Sequence, residues 1–457
     1  MRNCASLQIH VEPPDLYGDW MMNVDVAVLG AGMAGLGAAD ELQTLGRSVA
    51  VIEGASDVGG LARGIRVAGT AIEPYYHHVF PQDVETLAVV TRLGLANALE
   101  WSAAPMGILH AGRVHPFDSP LDLLRFPSFG LVDRGRFAVA SAVQLVRPDR
   151  QTLNARSAVV EGTRWYGRTV FDALWRPLLE AKFGTYADEV AMAWLVARIR
   201  QRAGGRRAGG DRLGYLVGSL GRLAQAFADD LRRRGVSILV GNPVTALHMR
   251  DGSWTVEHQG GTVSARAIVA CLAGGILARL VELPVPYRDR ILAIPYRGIV
   301  CALVELDHPV SPYYWVNVTD RIGLGCVGII EHTNFVSREH YGGATLVYLA
   351  HYVGEEDVAC TASPDELLAA VEPSLRVLNP EYDRHWVRDV HVSRDRFAQP
   401  VPIADGPMAS LSVRTGLRGL YHASLAHVYP HDRGISKAIG VGREAARLAS
   451  AELTITG

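Results

Sequence analysis

Between Val24 and Arg63 the chain reads VDVAVLGAGMAGLGAADELQTLGRSVAVIEGASDVGGLAR. No other stretch restricts its fold so narrowly. Val26 to Leu29 is a short, β-branched apolar run, the pattern of a strand buried on both faces of a parallel sheet. Gly30, Gly32 and Gly35 follow in GxGxxG spacing. The first allows a tight turn, the second lets backbone approach a pyrophosphate, and the third lets the next helix pack on the strand. That helix, expected over Ala34–Leu45, turns its N-terminal N–H groups towards the phosphates. Gly46 ends it, and Ser48–Ile52 reads as a second strand with Glu53 at its tip. An acid there accepts hydrogen bonds from adenosine ribose hydroxyls, which favours FAD or NAD over NADP.

Gly59-Gly60-Leu61-Ala62-Arg63 lies a short loop beyond Glu53. This run resembles the GG motif of the flavoprotein superfamily that holds amine oxidases, protoporphyrinogen oxidase, phytoene desaturases and UDP-galactopyranose mutase. The resemblance extends from Asp25 to the C-terminus. It implies non-covalent FAD, with Gly30, Gly32, Met33, Ala34, Gly35, Glu53 and Gly59 to Arg63 around the diphosphate and ribose. It also implies a return of the chain at Val244, whose backbone meets the adenine. The superfamily's last strand ends in Gly-Asp before a final helix that faces the flavin. Here Ala423-Ser424 replaces that pair, so Ser424 or backbone takes the place of the carboxylate. Arg433, Gly434 and Ile435 then present N–H groups where charge develops on the reduced flavin.

The expected fold class is α/β: a Rossmann-like FAD-binding domain interleaved with an α+β substrate domain that contains an antiparallel sheet. We assign 23–98, 210–280 and 399–457 to the first and 99–209 and 281–398 to the second. Two interleaved domains suit 457 residues. Residues 1–22 read as a leader, with Met21 or Met22 a plausible native start. Its acids and prolines do not make a signal peptide.

Composition narrows the partners. A net charge of −2 gives no electrostatic case for nucleic acid. Of 45 basic residues only Lys182 and Lys437 are lysines, a skew that fits a GC-rich genome. Five cysteines without CxxC spacing suggest neither zinc nor disulfides, and a reducing cytoplasm fits. No apolar run reaches the roughly 18–20 residues that span a bilayer. Apolar residues between 99 and 150 are explained by core packing, and docking to a membrane surface is not expected. The sequence says nothing of oligomeric state.

Candidates for chemistry are fewer. Tyr76-His77-His78 follows an expected hairpin over 65–72, and the resemblance puts His77 or His78 near the isoalloxazine. On the residues alone, such a run serves packing and local hydrogen bonds. Trp165 to Gly184 reads as a buried helix restarted by Pro177 and stopped by Gly184. Lys182 near its end is a catalytic candidate by resemblance to lysines held against flavin. Its ordinary reading is a helix-terminal lysine serving the last carbonyls. Residues 198–213, arginine- and glycine-rich, read as a solvated loop in preference to a mobile lid or an anion contact. Strand patterns over 298–306, 322–330 and 344–353 suggest the sheet under a substrate cavity, and Ser363 opens a helix by a capping box. Tyr314, Tyr348 and Tyr429, with Tyr76, are the candidates for substrate contact, and His427 joins the catalytic candidates.

Two chemistries follow from the resemblance. One is an oxidoreductase taking hydride from a C–H bond of a small, cyclic or biosynthetic-intermediate molecule, with molecular oxygen a candidate acceptor. The other is a non-redox mutase in which reduced flavin is the nucleophile.

Overall fold

Val26 and Val28 pack into one hydrophobic cluster and Ala27 and Leu29 into another, so the first strand is covered on both faces. In the computed structural model, which describes residues 21–146, 151–204, 206–207, 210–320 and 326–456, this strand, β1 (Met21–Leu29), leads through Gly30 into α1 (Met33–Thr44) and then β2 (Val49–Ile52). Met21 and Met22 belong to β1; the rest of the expected leader lies outside the described residues. The sheet runs in the order Ser237–Leu239, β2, β1, Gly261–Ala270. These neighbours all pair in parallel. Gly261–Ala270 shares its far edge between two partners. Its first half carries the antiparallel meander Val244–Arg250 and Ser253–His258, and its last residues pair in parallel with Leu420–His422.

Helices cover this sheet because their apolar spacing demands it. Leu220–Arg233, capped by Ser219, buries Leu220, Leu223, Ala224, Phe227, Ala228 and Leu231 at helical spacing. The final helix, Ile435–Thr456, packs on α1 through glycines. A Cβ on Gly37 would come within 3.0 Å of Ile439 backbone, and one on Gly442 within 2.0 Å of the Ala34 carbonyl oxygen. Only residues without side chains allow that approach.

The second sheet has the order Val387–Pro400, Tyr296–Leu306, Thr345–Val353, Gly328–Glu331, Trp315–Val318, Met106–His110, Arg113–Pro116. It is antiparallel except where Trp315–Val318 runs parallel to Met106–His110. The strand Val387–Pro400 has no counterpart in the sequence reading. It is charge-rich and half-exposed because it closes an edge. Strand alternation sends Leu346, Tyr348, Ala350 and Tyr352 to one face with Tyr75 and Tyr76, and Val347 and Leu349 to the other.

One expectation is corrected. Residues 198–204 are not loop: they continue the helix Met192–Gly204, and Gly210–Leu216 is a strand paired with Leu99–Ala103. Arginine is a good helix former, and the glycines that stop the helix begin only at Gly204. Residues 205, 208 and 209 of that stretch lie outside the described residues. Pro177 does open an α-helix, Arg176–Phe183, and a π-turn over Phe171–Trp175 joins it to the turn before. Ser363 forms the expected capping box. No helix among the described residues is long and apolar enough to cross a membrane.

Candidate active site

Gly30 adopts φ +94°, a left-handed conformation suited to glycine, and turns the chain from β1 into α1. Gly35 has no room for a side chain, since its Cβ would fall 1.8 Å from the Gly30 carbonyl oxygen. Gly32 differs. A Cβ there would find nothing nearer than the Gly60 Cα at 4.0 Å. Gly32 and Gly59 form a parallel bridge, and Gly59 N–H donates to the Ala31 carbonyl at 2.9 Å. The two glycine segments therefore make one backbone-lined cradle that side chains would fill. Glu53 sits beside it, accepting from Ala31 N–H at 2.6 Å and Ala55 N–H at 2.8 Å. Val244 starts its strand next to this tip, where Gly241 N–H donates to the Ala55 carbonyl and Asn242 N–H to that of Glu53. Arg63 turns back to the Gly60 carbonyl at 3.2 Å and lies over the Tyr75 ring.

At the same carboxyl-terminal end of the parallel strands, beyond Leu420–His422, Gly434 and Ile435 open the final helix, and a Cβ on Gly434 would touch nothing within 4 Å. The Arg433 guanidinium donates to the Tyr352 hydroxyl at 2.6 Å, its carbon 5.4 Å from the centre of that ring. Asp432, with 5% of its side chain exposed, accepts from Lys182 Nζ at 2.7 and 2.9 Å, and Arg198 approaches it at 3.5 Å. Burial works to raise the Asp432 pKa, but Lys182 and Arg198 hold it well below the carboxylate range. Likewise burial acts to raise Tyr352, while Arg433 and Lys182 bring it below its usual value.

This charged group borders a cavity of about 290 Å³. Its wall is largely apolar and aromatic, including Met106, Phe137, Trp175, Leu179, Trp194 and Trp315, and its polar members include Lys182, Arg198, Arg202, Tyr76, Tyr352 and Asn317. Trp194, Leu195, Arg198, Ile199 and Arg202 reach it from one face of a single helix, at helical spacing.

The sequence candidates separate accordingly. Tyr76 lines the cavity, edge-on to Trp315. Lys182 lines it too, its hydrogen bonds going to Asp432. His77 and His78 are half-buried beside it but are not among its lining residues. His77 Nδ1 is held 2.7 Å from the Tyr75 carbonyl, and burial followed by Arg433 pushes its pKa down to about 4. His78 Nδ1 stands 3.2 Å from the Tyr314 hydroxyl, which leaves Tyr314 one layer behind the wall. Tyr348 is engaged elsewhere, donating to the Glu73 carbonyl at 2.7 Å. Tyr429 donates to Asn154 at 2.8 Å. His427 accepts from Ser424 N–H at Nδ1, so its proton sits on Nε2, 3.2 Å from the Ser412 carbonyl. Burial, with His422 next to it, lowers its pKa to about 3. Ser424 thus caps a turn with His427.

Comparison with known proteins decides what the cradle and cavity belong to. The family model for flavin containing amine oxidoreductase matches residues 33–449. The chain belongs to that family. FAD is the cofactor of this family, and the glycine cradle, side-chain-free and edged by Glu53, fits its diphosphate and ribose. AofH of Mycobacterium tuberculosis, named a flavin-containing monoamine oxidase, is 27% identical over 263 residues, 54% of this chain. The match spans only 57% of that relative's length. Among solved structures, a protein named as protoporphyrinogen oxidase from Exiguobacterium superposes with TM-score 0.74 at 16% identity, over 95% of this chain and all of that one. Reduced UDP-galactopyranose mutase gives TM-score 0.73 at 16% identity, over 95% and 98% of the two chains. At such identity the likeness is one of fold.

Proposed function

We propose that this family member removes hydride from a C–H bond of a small, ring-sized apolar molecule seated in the 290 Å³ cavity. The observation that carries the reading is a juxtaposition. The cavity's charged end abuts Asp432 and Arg433, which run directly into the helix that closes the nucleotide-binding sheet. On this reading Gly30 to Gly35, Glu53, Gly59 to Arg63 and Val244 hold the adenosine and diphosphate, and Ser424 with Arg433 to Ile435 hold the opposite end.

Bound FAD supplies the two-electron acceptor, and the protein supplies position and a dry site. Trp175, Trp194 and Trp315 enclose the substrate and keep water away. Tyr76 and Tyr352 face it with hydroxyls, and Arg433 fixes the Tyr352 oxygen as an acceptor. If the substrate loses a proton as well as hydride, Tyr352 is the wall group best prepared to receive it.

The test is anaerobic. The purified yellow protein is mixed with candidate substrates and its flavin absorbance followed. Bleaching by substrate alone supports the proposal. Turnover seen only after dithionite reduction, with no net redox change, would replace it with the mutase reading.

A further inference from the structure

We propose that the charged end of the cavity is an anion-binding pole, and that the substrate is an apolar molecule ending in a carboxylate or phosphate, not a cationic amine. This rests on the cavity being the substrate site.

The first ground is charge. Lys182 and Arg198 line the cavity, and Arg433 grips Tyr352, which also lines it. Asp432 is the one carboxylate set among these three cations, and none of the described residues lining the cavity is Asp or Glu. Both Asp432 oxygens already face Lys182, which leaves Arg198 with only a long 3.5 Å contact to it. Positive charge therefore exceeds negative at this end, behind low-dielectric walls that strengthen its field. The same field reaches His78, whose pKa is lowered by burial and then by Arg202 and Arg198.

The second ground is that the usual alternative is already taken. A protonated amine without a carboxylate partner can be held by aromatic faces. Here the protein's own ammonium occupies them: Lys182 Nζ lies 5.0 Å from the Trp194 ring centre and 5.7 Å from that of Tyr352. A second cation would meet Lys182 in the cage and Arg198 beside it. An anionic group in the same place gains charge-assisted hydrogen bonds, and the guanidinium fork of Arg198 suits either carboxylate or phosphate. The remaining wall, from Met106 to Trp175, suits an apolar body.

The experiment uses the FAD-loaded full chain and isothermal titration calorimetry, so it does not depend on turnover. The probes are 3-phenylpropionate, phenyl phosphate and 3-phenylpropylamine. We expect one of the two anions to bind at least about tenfold tighter than the amine. The tighter of the two tells a carboxylic acid from a phosphate ester. Arg198→Gln should remove that preference and Arg198→Lys should keep most of it, with FAD content unchanged in both. Tighter or equal binding of the amine, no binding of any probe, or an unchanged preference in Arg198→Gln would each overturn the pole. Bleaching by an amine substrate would meanwhile leave the oxidoreductase reading standing, so the two can fail separately.

Discussion

Lys182 Nζ stands 2.7 Å from Asp432 Oδ2, and this contact joins the helix Arg176–Phe183 to the turn that enters the final helix. Both side chains are largely buried, at 13% and 5% exposure. Removing one partner of a buried pair costs about 3–5 kcal/mol when nothing else compensates the charge left behind; Arg198, 3.5 Å from Asp432, makes that range an upper bound here. Lys182→Met should therefore lower unfolding free energy by up to roughly that amount in urea titrations, and Asp432→Asn, which strips Lys182 and Arg198 of their shared carboxylate, should cost more. A single variant as stable as the parent would mean that the pair does not hold these elements together.

The glycine motif gives a contrast between two substitutions of one kind. At Gly32 a side chain has space in the protein but fills the cradle, so Gly32→Val should fold and be purified colourless. At Gly35 the Cβ meets the Gly30 carbonyl oxygen at 1.8 Å, so Gly35→Val should lose the fold itself. Circular dichroism and flavin content of the two proteins check this. Stoichiometric FAD in Gly32→Val would contradict the position assigned to the diphosphate.

Glu331 gives a pH dependence. Its carboxylate, 1% exposed, accepts the N–H groups of Val310 and Ser311, yet burial outweighs them and raises its pKa to about 7. The folded state thus holds this proton more tightly than the unfolded one. The resulting stability is fully present below the unfolded value near 4.5 and is lost as pH rises through about 7. The melting temperature should fall between pH 5 and 8, a change on the order of 3 kcal/mol. Glu331→Gln, whose amide oxygen can still accept both N–H groups, should flatten that slope; an unchanged slope would assign it to other groups.

Tyr352 should ionise below the ordinary tyrosine range, because Arg433 donates to its oxygen at 2.6 Å and Lys182 lies over its ring. Ultraviolet difference titration of the parent against Tyr352→Phe should show one phenol lost from the low end of the tyrosine titration. Coincident curves would argue against an acceptor role for this oxygen.

The nucleotide half of the molecule was legible because its constraints are local. Gly30, Gly32, Gly35 and Glu53 are fixed by backbone geometry within one strand–helix–strand unit, and the helix Leu220–Arg233 declares itself by apolar spacing. The cavity is a different matter. Nothing around Asp432 in the sequence points to Lys182, because their pairing depends on how two distant segments cross. The face formed by Trp194, Arg198 and Arg202 does have the spacing of a helix, but glycines just beyond it suggested a loop. Tyr348 and Tyr352, four residues apart on one strand, look equivalent in sequence. Only the Glu73 carbonyl, just past the short strand Thr70–Ile72, sets Tyr348 apart as a brace while Tyr352 faces the cavity.

The meeting of Gly37 with Ile439, and of Ala34 with Gly442, has a consequence for synthesis. The helix that starts the nucleotide fold lacks its packing partner until a segment near residue 440 leaves the ribosome. Until then α1 waits with one flank uncovered, and β1 lacks its parallel neighbour Gly261–Ala270 until more than half of the chain is made. Such distant pairings make folding slow and leave nascent apolar surface exposed. Ribosome-stalled chains ending before this helix should therefore need chaperone shelter, and cofactor capture becomes one of the last events in making the protein.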